Sequence, residues 1–167
     1  NDYGYFYYYV GEENQVRVTA KVNYVITIQV YPEKRIPATG HWINQNVVQI
    51  RNVGSTTPIF TQTINMDDNG IGTMSAVDST LIPPGTYDFG IKGYSHLRKI
   101  YTTSLTANTT FLDFTGPGLE LLAGDTSVVE DNYVNSLDLS TISQYLYTSN
   151  VKNDLNRDTL VNSLDLS

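Results

Sequence analysis

The chain has 167 residues, 40% of them hydrophobic, with 13 tyrosines, no cysteine and a net charge of −7. Without cysteine there is no disulfide, zinc–thiolate or thiol chemistry, and without Lys/Arg patches nucleic acid is excluded as a partner. No stretch is long and apolar enough to span a membrane, while the apolar content is too high for global disorder.

The chain begins Asn1-Asp2, without an initiator Met or signal peptide, as expected of a processed product or a fragment. Residues 1–15 form a Tyr-rich segment: Tyr5, Phe6, Tyr7, Tyr8, Tyr9 and Val10 are apolar on both faces of any strand they form. From Val16 to Val30 the even positions, among them Val16, Val18 and Val22, are apolar and the odd ones mostly polar. Such period-two alternation is a half-buried strand, but this run is far longer than the usual 5–6 residues or so. Either it bends into two strands, or it continues into another subunit, with Tyr5–Val10 as the added strand.

Residues 32–46 read as a polar loop holding His41 and Trp42. Val47–Arg51, Ile59–Asn65 and Tyr87–Lys92 read as strands, and Leu105–Phe114 as the last. The turn signals between them are Asn52–Ser55, Asp67–Gly70 and Pro83–Thr86. Short strands punctuated in this way predict a mainly β fold over residues 16–115, an antiparallel β-sandwich of the immunoglobulin or transthyretin sort. Residues 116–123, with Gly116-Pro117-Gly118, read as a linker, and no helix is expected before residue 118.

Residues 124–167 differ in character. The segment 119–167 carries a net charge of −6 and residues 1–118 only −1. The heptapeptide VNSLDLS occurs at 134–140 and again at 161–167, the mark of a duplicated unit. In the second copy Asp154, Asn156, Asp158, Asn162 and Asp165 occupy positions 1, 3, 5, 9 and 12 of an EF-hand-like loop, with the Leu160 carbonyl at position 7. Ca²⁺ takes six to eight oxygens, and the alternation lets every second residue of a curled loop face one ion. Thr159 stands where such loops place glycine, at a conformational cost. The first copy aligns from its end: Asp138, Asn135, Tyr133 and Asp131 match positions 12, 9, 7 and 5. Asp125 and Ser127 serve as positions 1 and 3 if Val128-Val129 bulges out. The second loop is expected to bind calcium more tightly. Ser136–Tyr147, with Leu137, Leu139, Ile142, Tyr145 and Leu146, is expected as a short amphipathic helix.

Two tandem loops of this type, each ending in Asp and leading into a helix, resemble type I dockerins over residues 124–167. The resemblance implies a small helical, calcium-dependent plug for a cohesin, with Ser136, Leu137, Ser163 and Leu164 at the partner-contacting positions. It departs from the family in the longer first loop and in stopping at Ser167, before a second helix. Residues 25–115, through Trp42, TINMDDNG at 63–70, PGTYD at 84–88, IKGYSHL at 91–97 and TTFLDF at 109–114, resemble transthyretin-like or carboxypeptidase-regulatory-like sandwiches of secreted bacterial surface proteins, which implies a spacer without activity.

No catalytic motif is present, and the resemblance to those sandwiches implies that His96 is strand-edge structure. Three functions follow. The first is a self-assembling structural subunit of a cell-surface filament, favoured by the overlong strand and the Tyr-rich start, its partners identical subunits. The second is an extracellular dockerin-bearing adaptor for a cohesin-like protein on a cellulosome-like scaffold. The third is a carbohydrate-binding module with Trp42 as the stacking ring.

Overall fold

Alternation decides which residues enter the core. In the computed structural model, which describes residues 5–9, 15–19, 23–33, 35, 44–107, 109, 111–128 and 131–166, and only the backbone of the first two segments, the run from Val16 to Val30 is two strands. The first strand, β1 (Tyr5–Tyr9), lies antiparallel to β2 (Gln15–Thr19), Tyr5 opposite Thr19 and Tyr9 opposite Gln15, in a two-stranded sheet of their own. The strand partner of the Tyr-rich segment is therefore found within the chain, and Val10 and Val22 lie outside the described residues. The third strand, β3 (Asn23–Val30), buries Tyr24, Ile26, Ile28 and Val30 and leaves the odd positions exposed or half-buried, as alternation dictates.

The remaining strands are β4 (Asn44–Asn52), β5 (Pro58–Met66), β6 (Ile71–Asp78), β7 (Gly85–Gly93), β8 (Lys99–Leu105) and β9 (Phe111–Phe114). They form two facing sheets, ordered β6-β3-β9 and β5-β4-β7-β8. The sandwich is not wholly antiparallel, contrary to expectation: β9 runs parallel to β3, with Thr27 opposite Phe111 and Val30 opposite Phe114. Two strands went unread. In β6 the alternation is broken at Ala76, whose φ is 58°. In β8, an edge strand, Thr102 is exposed and the core is reached only by Tyr101 and Leu105. Leu105 thus ends β8 rather than opening the last strand.

The β5–β6 hairpin shows how a turn is fixed locally. Gly70 takes φ +68°, a conformation that costs glycine little, and the Asp67 carboxylate accepts the amides of Asn69 and Ile71 at 2.8 and 2.9 Å. Between the sheets lie Phe89, Ile26, Ile28, Ile50, Val48, Met74 and Ile91, all fully buried. Each such side chain contributes roughly 1.5–3 kcal/mol by leaving water. Tyr101 stacks on Phe114 with ring centroids 4.1 Å apart, and its hydroxyl donates to the Leu119 carbonyl.

Residues 116–123 are stitched to the sandwich. The Leu121 amide donates to the Tyr31 carbonyl and the Glu33 amide to the Leu121 carbonyl, each at 2.8 Å. The Leu97 amide reaches the Leu122 carbonyl at 2.8 Å, and the Ala123 amide reaches the Glu33 carboxylate at 2.9 Å. Leu121 is fully buried. Beyond this clamp come the first loop and the single helix of the described residues, α1 (Ser136–Gln144). Leu137 and Leu139 lie exposed on it and, of its apolar residues, only Ile142 is buried, so the helix is less amphipathic than its spacing predicts. Ile142 packs with Leu155 and Val161 in a second, small core, joined by Ala123 and Leu146.

Candidate calcium loops and their junction with the sandwich

The duplicated heptapeptide produces duplicated hydrogen bonding. In the second loop the Leu155 and Asn156 amides donate to Asp165 Oδ1 (2.7 and 3.3 Å), and the Asn162 amide donates to Asp165 Oδ2 (2.8 Å). In the first loop Thr126 and Ser127 donate to Asp138 Oδ1 (2.8 and 2.9 Å), and Asn135 donates to Asp138 Oδ2 (2.9 Å). The match continues around the ring. Asn162 Nδ2 donates to Asp158 Oδ2 (2.9 Å) as Asn135 Nδ2 does to Asp131 Oδ2 (3.0 Å). The Leu160 amide donates to Asp158 Oδ1 as Tyr133 does to Asp131 Oδ1. The Thr159 amide donates to Asp154 Oδ2 (3.0 Å) as Asn132 does to Asp125 Oδ2 (3.1 Å). Asp125 and Asp154 therefore hold the same position; Val128, which follows Ser127, is 98% exposed, and Val129 lies outside the described residues.

Asn135 caps α1 through a capping box: its side chain accepts the Leu137 amide at 2.8 Å, and Asp138 holds the Asn135 amide. Asn162 repeats this with Leu164 (2.8 Å) and Asp165. Position 12 thus orders the loop and starts a helical turn at once. Burial works to raise the Asp138 pKa, but the amides of Ser127, Asn135 and Thr126 outweigh it and hold the carboxyl below its usual range. The Asn162 side chain, with the Leu160 amide, lowers that of Asp158.

The donor set fits a hard cation. Positions 1 and 12 of both loops are buried aspartates, 0% exposed for Asp125 and Asp138, 5% for Asp154 and 3% for Asp165. Asp125 Oδ1 is buried with no hydrogen-bond partner, a costly state for a carboxylate oxygen unless a cation or donor meets it. Among the described residues no three His, Cys, Asp or Glu side chains converge on one point. The donors around each loop are instead a mixture of carboxylates, amides and a backbone carbonyl, with a Ser hydroxyl in the first loop alone, the oxygen chemistry of calcium rather than of zinc.

Position 6 is Asn132 in one loop and Thr159 in the other, with φ of 65° and 79°. A β-branched residue is a genuine outlier there. Thr159→Gly is therefore expected to raise stability by about 1 kcal/mol, read as a higher urea midpoint in a calcium-free buffer.

The loops are docked on the end of the sandwich by basic residues. Lys92, in β7, donates to Asp125 Oδ2 at 2.6 Å and to the His96 carbonyl at 3.0 Å. Arg35 Nε donates to the Leu155 carbonyl at 3.2 Å. Burial, with the nearby Arg157 charge and against the pull of Asp154, lowers the Arg35 pKa to about 9. The Ser95 hydroxyl donates to the Lys152 carbonyl at 2.7 Å, and the Arg98 amide to Asn132 Oδ1. At the centre of the junction lies His96, not at a strand edge but 0% exposed and bridged to Ala123. Sequence reasoning missed this role, and an isolated SHL tripeptide carries no signal for it. Asn44, Asn46 and His96 bury both polar side-chain atoms without hydrogen-bond partners. They converge on Gly93, where an added Cβ would lie 2.7 Å from Asn44 Nδ2 and 2.8 Å from His96 Nδ1.

Ser136, Leu137, Ser163 and Leu164 are all exposed, Leu137 by 56% and Leu164 by 57%. His41 and Trp42 lie outside the described residues.

No family model matches the chain, and no curated protein does. Solved structures do. The fold is shared with type II cohesin–X-dockerin complexes. One is a C-terminal interface mutant from Acetivibrio cellulolyticus, with 19% identity, a TM-score of 0.52, and 86% of this chain matched to 90% of that one. An N-terminal interface mutant of the same complex gives 21% identity, a TM-score of 0.51 and the same coverage. At this identity the likeness establishes the fold alone, which includes a β-sandwich. No helix of the described residues is long and apolar enough to cross a membrane.

Proposed function

We propose that the chain is a non-catalytic docking unit of the X-module–dockerin kind: a β-sandwich carrying a calcium-stabilised module that binds a cohesin outside the cell, on a surface or a cellulosome-like scaffold. The observation that carries this is the repeated hydrogen-bond ring of the two loops, centred on buried Asp138 and Asp165. Each ring presents the same exposed Ser-Leu pair beside it, Ser136-Leu137 and Ser163-Leu164, and apolar side chains left in water beside an ordered site suit a protein partner.

The matched complexes hold a cohesin and an X-dockerin. Two features favour the X-dockerin side. The duplicated loops are one. The extent of the match is the other: it leaves 14% of this chain outside, whereas residues 124–167 are about a quarter of it, so it reaches into the loop module. Filament formation by strand addition is the less favoured reading, because the Tyr-rich strand already pairs along one edge with β2 within the chain.

The test is surface plasmon resonance of the full chain over an immobilised type II cohesin and, separately, a type II dockerin. Binding to the cohesin, reversed by EGTA and weakened about thirtyfold or more in Leu137→Asp/Leu164→Asp, is the expected result. Binding to the dockerin alone would place the chain on the opposite side of such a complex.

A further inference from the structure

We infer that Lys92 of the sandwich serves as a tethered cation for the first loop: its ammonium neutralises Asp125 in the calcium-free protein, keeps that loop ordered without metal, and lowers its calcium affinity below that of the second loop. The inference rests on the calcium reading and deepens it.

Equivalent carboxylates are treated differently in the two loops. At position 1 of the second loop, Asp154 accepts the Asp158 amide on Oδ1 (3.1 Å) and the Thr159 amide on Oδ2 (3.0 Å). Asp125, at position 1 of the first, accepts the Asn132 amide on Oδ2, has no partner on Oδ1, and receives the Lys92 ammonium on Oδ2 at 2.6 Å. The extra residues after Ser127 account for the missing amide, because they separate Asp131 further along the chain from Asp125. Lys92 and Asp125 are 5% and 0% exposed. A carboxylate so buried, with fewer amides on it than Asp138 has, is stabilised by a paired charge, and the ammonium is held in place by its bond to the His96 carbonyl.

Two consequences follow. Without calcium, the buried Asp125 charge is already balanced by the sandwich, so the Thr126 and Ser127 amides stay on Asp138. With calcium, the ion must share Asp125 with a fixed positive charge, and like charges at one carboxylate oppose each other. The second loop has the Arg35 and Arg157 charges near its first position, but among the described residues no cation in ion-pair contact with Asp154, and it fills first. The sandwich therefore sets the order of loading, and the side of the module against β7 stays folded when calcium is withdrawn.

The experiment uses the full chain with Lys92→Met and Lys92→Gln, the second keeping a hydrogen-bonding side chain in case the first fails to fold. Calcium calorimetry is expected to show a first-loop affinity raised about tenfold or more in either variant, with the second loop unchanged. Hydrogen exchange in EGTA is expected to show the Thr126 and Ser127 amides exchanging about tenfold or more faster than in the unsubstituted chain. If the unsubstituted chain binds calcium and neither substitution moves the first-loop affinity, this inference falls alone. Silence of both loops toward calcium would overturn the calcium reading and this inference with it.

Discussion

Asp154→Ala is expected to abolish the tighter calcium site and with it most of the calcium-dependent rise in melting temperature. Binding to the folded state alone stabilises by RT ln(1 + [L]/Kd), about 4 kcal/mol at a thousandfold excess over Kd. Asp154 is 5% exposed and holds the Asp158 and Thr159 amides, so its loss removes a ligand at position 1 and two loop hydrogen bonds together. Differential scanning calorimetry with 5 mM calcium or 5 mM EGTA, roughly saturating and roughly metal-free, separates the two effects. The variant melts lower than the unsubstituted chain in EGTA and gains little from calcium. A variant that gains as much from calcium as the unsubstituted chain contradicts the assignment of Asp154.

Mild acid is expected to loosen the junction between sandwich and loops. Burial, then the charges of Arg35, Arg157 and Lys92, push the His96 pKa well below its ordinary 6.5. The folded protein thus keeps the ring neutral where the unfolded chain protonates it. Stability is full above pH 6.5 and falls as the pH drops from there toward the depressed folded value, by up to about 1.4 kcal/mol per unit. The carboxylates with lowered pKa, among them Asp138 and Asp158, contribute below their ordinary 3.8 and leave the window from 6.5 to about 4 to histidine. Urea midpoints measured across that window should fall, and His96→Gln should flatten the slope. An unchanged slope in the variant would show that His96 does not carry the acid response.

Much of this was legible because it depends on spacing. The even positions of β3 face the core because the side-chain period of a strand is two, and Asp67–Gly70 makes a tight turn because Gly70 accepts a positive φ. The equivalence of the two copies was legible in the repeated heptapeptide, whose Asp138 and Asp165 accept matching amides; Val129, half of the expected bulge, lies outside the described residues. What stayed hidden depends on tertiary placement. Nothing local says that β9 would lie parallel to β3, that β8 would supply an edge, or that the run from Val16 would divide between two sheets. The junction was hidden most completely. Lys92, Arg35 and His96 lie 33, 120 and 27 residues from their partners Asp125, Leu155 and Ala123, and only the folded chain brings the cationic end of the sandwich against the acidic loops.

Calcium stoichiometry tests the central claim most directly. Titration of the metal-free chain in a calorimeter should report two calcium ions per chain with unequal affinities, the tighter lost in Asp154→Ala and the weaker in Asp138→Ala. Heat-silent injections, with no calcium retained by the chain after equilibrium dialysis, would contradict it.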